Sequence, residues 1–543
     1  MKNSKASGWG SALSDNDLSS AVEIKKKPIR APRRHGETLA VPAASKISQL
    51  WDQNLHTILG HDFEVNGQPI GQLRQTARSH LLATARSYCS QYRDLAVGDG
   101  GRVILSGHQP RLFHPGVWFK NFALSQLGQQ LDATAINLVV DNDLCGHPSI
   151  SVPQASGERG ASLVAVAYDQ AGGNIPFENR EILDRNLFDS FGERVRSAIA
   201  PVVAEPLVEP LWEYAKQYQD RGNRLGHTLA AARHKLEADF GLQTLELPLS
   251  EFCDTETFAH FVLEILNRVD EFQQIYNRSL IEYRNVHRIR SSAHPVPALG
   301  QADDWFEVPF WIWFNESPLR RGLFVRRQGK QLTLSNRHDW ELAIDGSDRL
   351  DQLTNLYAEG IRIRPRALMT TLYSRMVLSD LFIHGIGGAK YDQLTDAIIT
   401  RFWNVEPPSF LTVTGTATLP FDFSPVTSAD LNLEKVRLRE LRFHPERFIV
   451  GGDEAVQAII QEKGDWINRV SDGSMKQRHD AIERCNGELF PFVAEQVAEA
   501  TKAHDEKRGQ LVSSRILGSR EYSFCCFAKD RCVFPIALSL IHI

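Results

Sequence analysis

Hydrophobic and polar positions alternate most legibly between Arg102 and Asp143. Val103-Ile104-Leu105 is a short apolar run, Ser106-Gly107 breaks it, an amphipathic segment extends from about Val117 to Leu131, and a second apolar run covers Ala135 to Val140. The pattern predicts strand, loop, helix, strand, a βαβ unit whose two strands are parallel. Ile361 to Trp403 predicts a second α/β unit: Arg364-Pro365 opening a helix through Leu372 and Met376, a buried-type strand Asp380 to His384, and a glycine loop, Gly385-Ile-Gly-Gly-Ala-Lys390, opening a helix from Tyr391 to Phe402. Both units are expected in one mostly parallel sheet, interrupted by inserted segments.

Ala44 to Asp94 reads as helical, Ser162 to Tyr168 as a strand and Asn179 to Ile199 as a helix. Two long helical stretches follow, Pro206 to Phe240 and Thr255 to Val286, split by the strand-like Leu242 to Leu247. Phe261, Ile265, Val269, Phe272 and Ile275 recur at spacings of three and four. That stripe fits a protruding coiled-coil arm, and equally an ordinary core-facing helix pair. His294 to Gly300, with two prolines, halts the helix. Glu307 to Phe314 is dense in aromatics, which suits a buried strand or a substrate wall, and Leu323 to Leu334 reads as a hairpin. Phe410 to Leu419 predicts a strand, Ser428 to Lys507 a mainly helical region and Tyr522 to Pro535 a terminal hairpin. The divisions expected are a disordered basic tail (1–40), a first part of the α/β core (41–200), a helical arm (201–290), an aromatic and hairpin insertion (291–345), a second part of the core (346–420) and a mainly helical C-terminal region (421–543).

Composition narrows the function classes. With 543 residues, 42% hydrophobic, 23% charged and a formal charge of -5, the chain can bury a large core and carries no global field for nucleic acid. Seven scattered cysteines suggest a reducing compartment. The absence of a signal-type h-region and of any apolar span of about 18 residues makes cytoplasmic the expected location, without a membrane partner. The basic cluster at Lys25-Lys26-Lys27 and Arg30 to Arg34 reads as a solvated tail. Cys525, Cys526, Cys532 and His542 lack the spacing of a zinc site, and no metal is expected.

Chemistry concentrates at the strand ends, where open α/β sheets bind ligands. In the Gly107 to Gly116 loop, Pro115 suits the first turn of a helix, so amides near Gly116 and Val117 could receive an anion, with charge or hydrogen bonds from His108, Arg111, His114 and Lys120. A purely structural turn is the other reading. Gly385, Gly387 and Gly388 permit close backbone approach to a ligand, although neither a P-loop nor a dinucleotide fingerprint is present. Asp141, Asp143 and His147 could serve as acid and base or hold a metal, or could simply close the strand with a turn. Cys145 is a possible nucleophile, or a small buried apolar residue.

Gly107-His-Gln-Pro-Arg-Leu-Phe113, Lys120 beyond it, and Arg364-Pro365, Leu381 to His384, Gly385 to Gly388 and Tyr391 together resemble the bacillithiol-synthesis cysteine-adding ligase family (BshC). His108 stands where that family has glutamine, Arg111 where it has glycine, and its acidic-histidine cluster is reduced to Asn142-Asp143 and His147. The resemblance implies a Rossmann-like core, a helical arm used for homodimerisation, and a ligase joining cysteine to a small sugar conjugate such as glucosaminyl malate. It further implies Asp143, His147 and His108 in catalysis and Gly107, Gln109, Arg111, His114, Lys120, Gly385, Gly387, Gly388 and Tyr391 in holding substrate or phosphate, with a nucleotide such as ATP as energy source. The competing expectation is a non-catalytic relative, a nucleotide- or anion-binding assembly or regulatory protein.

Overall fold

The computed structural model describes residues 24–25, 28–95, 101–156, 160–219, 222–290, 296–469 and 475–532. A six-stranded sheet forms its centre: β1 (Thr38–Val41), β2 (Val103–His108), β3 (Thr134–Val139), β4 (Leu245–Pro248), β5 (Leu381–His384) and β6 (Phe410–Gly415), in the order β1-β6-β5-β2-β3-β4. Five strands are parallel and β1 is antiparallel at the edge, with Leu105 between Ile136 and Phe382, Leu138 beside Leu247 and Ala40 beside Val413. Val103, Ile104 and Leu105 are wholly buried, as a parallel strand covered on both faces requires, which is why the run is continuously apolar rather than alternating.

From β2 the chain adds β3 and β4 on one side, then returns to add β5 and β6 on the other. The direction of growth therefore reverses between β2 and β5, and both expected units share this sheet. The helices that frame the site are α1 (Pro115–Gln130), α2 (Leu225–Ala238), α3 (Glu256–Asn267), α4 (Val269–His287) and α5 (Ile386–Trp403). The aromatic stretch becomes the strand Trp305–Phe314 of a second, antiparallel sheet, paired with Arg321–Gln328 and with Ile361–Pro365. The expected hairpin is its neighbour, Val325 opposite Leu334.

Several expectations are corrected. The stripe of Phe261, Ile265, Val269, Phe272 and Ile275 is core, each residue at most 3% exposed. α3 packs on helices Ile70–Ser90 and Arg349–Ala358, and α4 on α5 and on strand Trp305–Phe314. α3 is buried nearly all round, so its apolar pattern answers to several neighbours in the same chain. Arg364-Pro365 ends a strand, and the helix starts at Ala367, because pairing with the aromatic strand holds the segment extended. β1 lies partly inside the stretch expected as a disordered tail. It is held by β6 and by the Gly36 amide on the Thr416 carbonyl. Lys26, Lys27, His294 and His542 lie outside the described residues, as does Pro535. In place of a terminal hairpin, short 3₁₀ turns at Phe524–Cys526 and Lys529–Cys532 pack into the core, where their three cysteines are buried and free. Residues 428–517 are mainly helical. Among the described residues no helix is long and apolar enough to cross a membrane, and no group of His, Cys, Asp or Glu could hold a metal ion.

Candidate functional site

The Gly107 to Gly116 loop leaves the carboxyl end of β2, whereas α5 follows β5 after Gly385 alone, so the glycines expected as a loop at 385 to 390 form its cap and first turn. β2 and β5 are the adjacent strands at which sheet growth reverses. Lys120 spans them from the second turn of α1. Its Nζ donates to the Gly107 carbonyl at 2.6 Å, and its aliphatic stem lies where a side chain on Gly385 would touch it, 3.7 Å from a Cβ at that position. The residue is 3% exposed, and no carboxylate pairs with its ammonium among the described residues. Burial, reinforced by the nearby Arg233, lowers its pKa to about 7. Arg233 itself is committed to Glu237 at 2.8 Å and to Glu246 at 2.5 Å.

On the β5 side, α5 begins at Gly385 without a side-chain cap, so its first-turn amides face outward unsatisfied by the helix. Gly387 has open space around it. A Cβ at Gly388 would sit 2.5 Å from Nδ1 of His384, so glycine lets the helix start directly on that ring. The ring is fixed in turn by Asp392 at 2.9 Å, and Asp392 by Arg375 at 2.6 Å. Against the burial that would raise it, Arg375 and His384 hold the Asp392 carboxyl below its ordinary value.

The other predicted residues divide. Gln109, Arg111 and Asp143 are brought together: Gln109 Nε2 donates to Asp143 Oδ2 at 3.0 Å, and Arg111 donates to the Leu144 carbonyl at 2.6 Å with its guanidinium 5.7 Å from the Phe177 ring centre. His108 closes β2 with its ring edge-on to Phe113 and Nδ1 donating to the Gln109 carbonyl. Burial and then Lys120 lower its pKa to about 3, so it supplies no positive charge at neutral pH. His114 caps α1 by accepting from the Gly116 amide at 3.1 Å, and its other nitrogen lies 3.3 Å from Glu521. The Val117 amide bonds the His114 carbonyl, and Arg520 covers Gly116, so the amides expected to receive an anion are already occupied. His147 is exposed, and no hydrogen bond or ion pair joins it to Asp143 among the described residues. Tyr391 turns toward Tyr283 of α4, ring centres 6.4 Å apart. Cys145 is buried, and burial raises its thiol pKa away from the reactive thiolate.

Sequence reasoning missed what the second sheet contributes. Arg320 reaches Asp143 Oδ1 at 3.1 Å and the Asn142 carbonyl, while Arg320 and Arg366 lie 4.4 and 4.2 Å from the ring centre of Trp311. Asn142 donates to the Pro365 carbonyl, which pins the end of β3 to this sheet. Arg364 is buried in a two-pronged bond to Glu178 at 2.6 and 2.9 Å and a contact to Asp254 at 2.6 Å. Asp141, expected as an acid, base or metal ligand or else as part of a closing turn, is fully buried and takes the amide and hydroxyl of Ser250 at 3.1 and 2.6 Å. His227 of α2 stands 3.7 Å from Asp141, with its Nε2 lacking a hydrogen-bond partner among the described residues. His227 also lines a cavity of about 240 Å³ with Tyr88, Tyr92, Tyr218 and Arg224. The strand-end position of Asp141 was the only signal available for these residues. The arginines and His227 are too distant in sequence for any spacing rule to join them.

The carboxyl ends of these strands thus carry one desolvated ammonium, uncapped helix amides and the Asp143 carboxylate, which accepts from Gln109, Arg320 and the Leu144 amide. That combination can hold an anion and handle a proton beside it. No family model matches this chain, and no curated protein matches it significantly.

Proposed function

We propose that this protein is an amide-forming ligase that binds a phosphate- or carboxylate-bearing small molecule between the Gly107 to Arg111 loop and the Gly385 to Gly388 start of α5 and joins an amino group to it. The observation that carries the reading is Lys120, a buried ammonium without a carboxylate partner among the described residues, which touches both segments where sheet growth reverses. Counted from β2, the parallel strands lie in the order third, second, first, fourth, fifth, which supports a Rossmann-like core with its ligand crevice at that reversal. A carboxylate must be activated before an amine attacks it. ATP supplies that step as acyl phosphate plus ADP, and the amine then displaces phosphate and releases one proton. In this reading the Lys120 ammonium and the α5 amides stabilise the charged oxygens, and the proton released by the amine passes to solvent. Cysteine and a glucosaminyl malate-like conjugate are the substrates that the motif resemblance suggests. The engagement of both Asp143 oxygens favours the alternative, a non-catalytic nucleotide- or anion-binding regulator.

The test has two stages. A thermal-shift panel with ATP, ADP, cysteine, malate and sugar phosphates identifies ligands of the native state. Gly387→Asp, which adds a carboxylate in open space at the start of α5, and Arg111→Ala should each weaken the active ligand, the latter by about 1–3 kcal/mol if its bond is charge-assisted. The purified protein is then incubated with glucosaminyl malate, cysteine and ATP, and the ligated thiol is sought by mass spectrometry. Binding without product across an amino-acid panel would select the regulator, and unchanged binding in both variants would overturn the site.

A further inference from the structure

At the opposite edge of the sheet, where β2 and β5 begin, a separate cavity of about 560 Å³ opens beside helices Ile47–Leu59 and Ile70–Ser90. Leu55, Ile58 and Leu82 line it together with Arg74, Arg78 and Arg102. Among the described residues its charges do not balance. Arg74, 6% exposed, gives its guanidinium to the carbonyls of Met376 and Ile58 at 2.6 and 2.7 Å and to Nδ1 of His61 at 2.7 Å. The other nitrogen of His61 donates to the Glu406 carbonyl at 2.8 Å, so the ring accepts on one side, donates on the other and is neutral. Arg74 therefore meets no carboxylate directly among the described residues. Burial lowers its pKa to about 9, which still leaves it charged at neutral pH.

Arg78 takes the one carboxylate among the described lining residues, Asp380, at 2.8 Å, and Asp380 spends its second oxygen on the Val103 amide. The Nη2 of Arg78 is buried and has no hydrogen-bond partner among the described residues. Among the described residues that line the site, three arginines thus face one carboxylate, and one buried guanidinium donor is left over. A buried charge without compensation is costly, and an unsatisfied buried donor adds to that cost. A bound anion offsets the excess positive charge.

We propose that this cavity binds a small organic anion, a carboxylate or phosphate monoester on an apolar body, with the anionic head on Arg78 and the body against Leu55, Ile58 and Leu82. The site is distinct from the crevice described above, since the two lie at opposite ends of the same strands. β2 alone puts roughly 15–20 Å between them.

The experiment titrates the full-length protein with octanoate, octyl phosphate, inorganic phosphate and the neutral octanamide, by calorimetry and thermal shift. At least one of the two amphiphilic anions should bind, more tightly than inorganic phosphate, and octanamide should not. Arg78→Gln should weaken that binding at least tenfold. Because Arg78→Gln also removes the Asp380 contact, Ser79→Asp, an exposed change on the cavity wall, serves as the second variant and should act in the same direction. Gly387→Asp should leave it unchanged. Equal affinity in both cavity variants, equal binding of octanamide, or loss in Gly387→Asp alone would overturn the proposal. The octanoate and octyl phosphate arms decide which head group the site prefers.

Discussion

Replacing Lys120 with methionine separates what this side chain does for binding from what it does to stability. In the folded protein burial lowers its pKa from 10.5 to about 7. The folded state therefore binds fewer protons than the unfolded state between those values, so stability should rise as pH rises through that window. The charged ammonium is a liability below pH 7, with an upper bound of about 5 kcal/mol at about 1.36 kcal/mol per pH unit. The methionine side chain would keep most of the volume and remove this liability, but would leave the Gly107 carbonyl without its donor, at about 1–3 kcal/mol. The expected result is a Lys120→Met protein that is more stable than the parent at pH 6, by at most about 2–4 kcal/mol. That advantage should shrink by about 2 kcal/mol between pH 7 and pH 9, where the parent lysine loses its proton. Urea unfolding across this pH range, followed by circular dichroism, measures both quantities. The same variant should lose the anion proposed to bind there, so stability and binding move in opposite directions. A variant less stable than the parent at pH 6, or one with an unchanged pH profile, would refute the assignment of a desolvated, unpaired ammonium.

The remaining expectations concern packing. Phe261→Ala should cost about 3–5 kcal/mol in urea unfolding, because Phe261 is 1% exposed in the core, and should leave the sedimentation behaviour of the folded protein unchanged. A change in oligomeric state with little loss of stability would restore the protruding-arm interpretation. Gly388→Ala should destabilise by about 1–3 kcal/mol, since its Cβ would press on His384, and a neutral result would mean that the first turn of α5 can shift freely.

The parallel sheet was legible from Val103-Ile104-Leu105 and Leu381 to His384 because strands buried on both faces must be continuously apolar, and so was the loop at the carboxyl end of β2. The sequence also placed glycines at 385, 387 and 388 between a strand and a helix, the local arrangement that exposes first-turn amides. Other features depended on what packs against a segment. The stripe through Phe261 and Ile275 has the same spacing whether its partner is a second chain or the rest of its own, and only the tertiary fold supplied the partner. Arg364-Pro365 became a strand end because the aromatic strand held it extended, and the Gly116 amide was satisfied by His114 rather than left for a ligand. Lys120 was visible as a lysine, but its pKa belongs to its burial and to Arg233, roughly a hundred residues away in sequence. Local pattern determines which faces are apolar. Burial, charge pairing and pKa are properties of three-dimensional neighbours, and at Asp141, His227, Arg320 and Arg78 those neighbours come from segments that no local spacing relates.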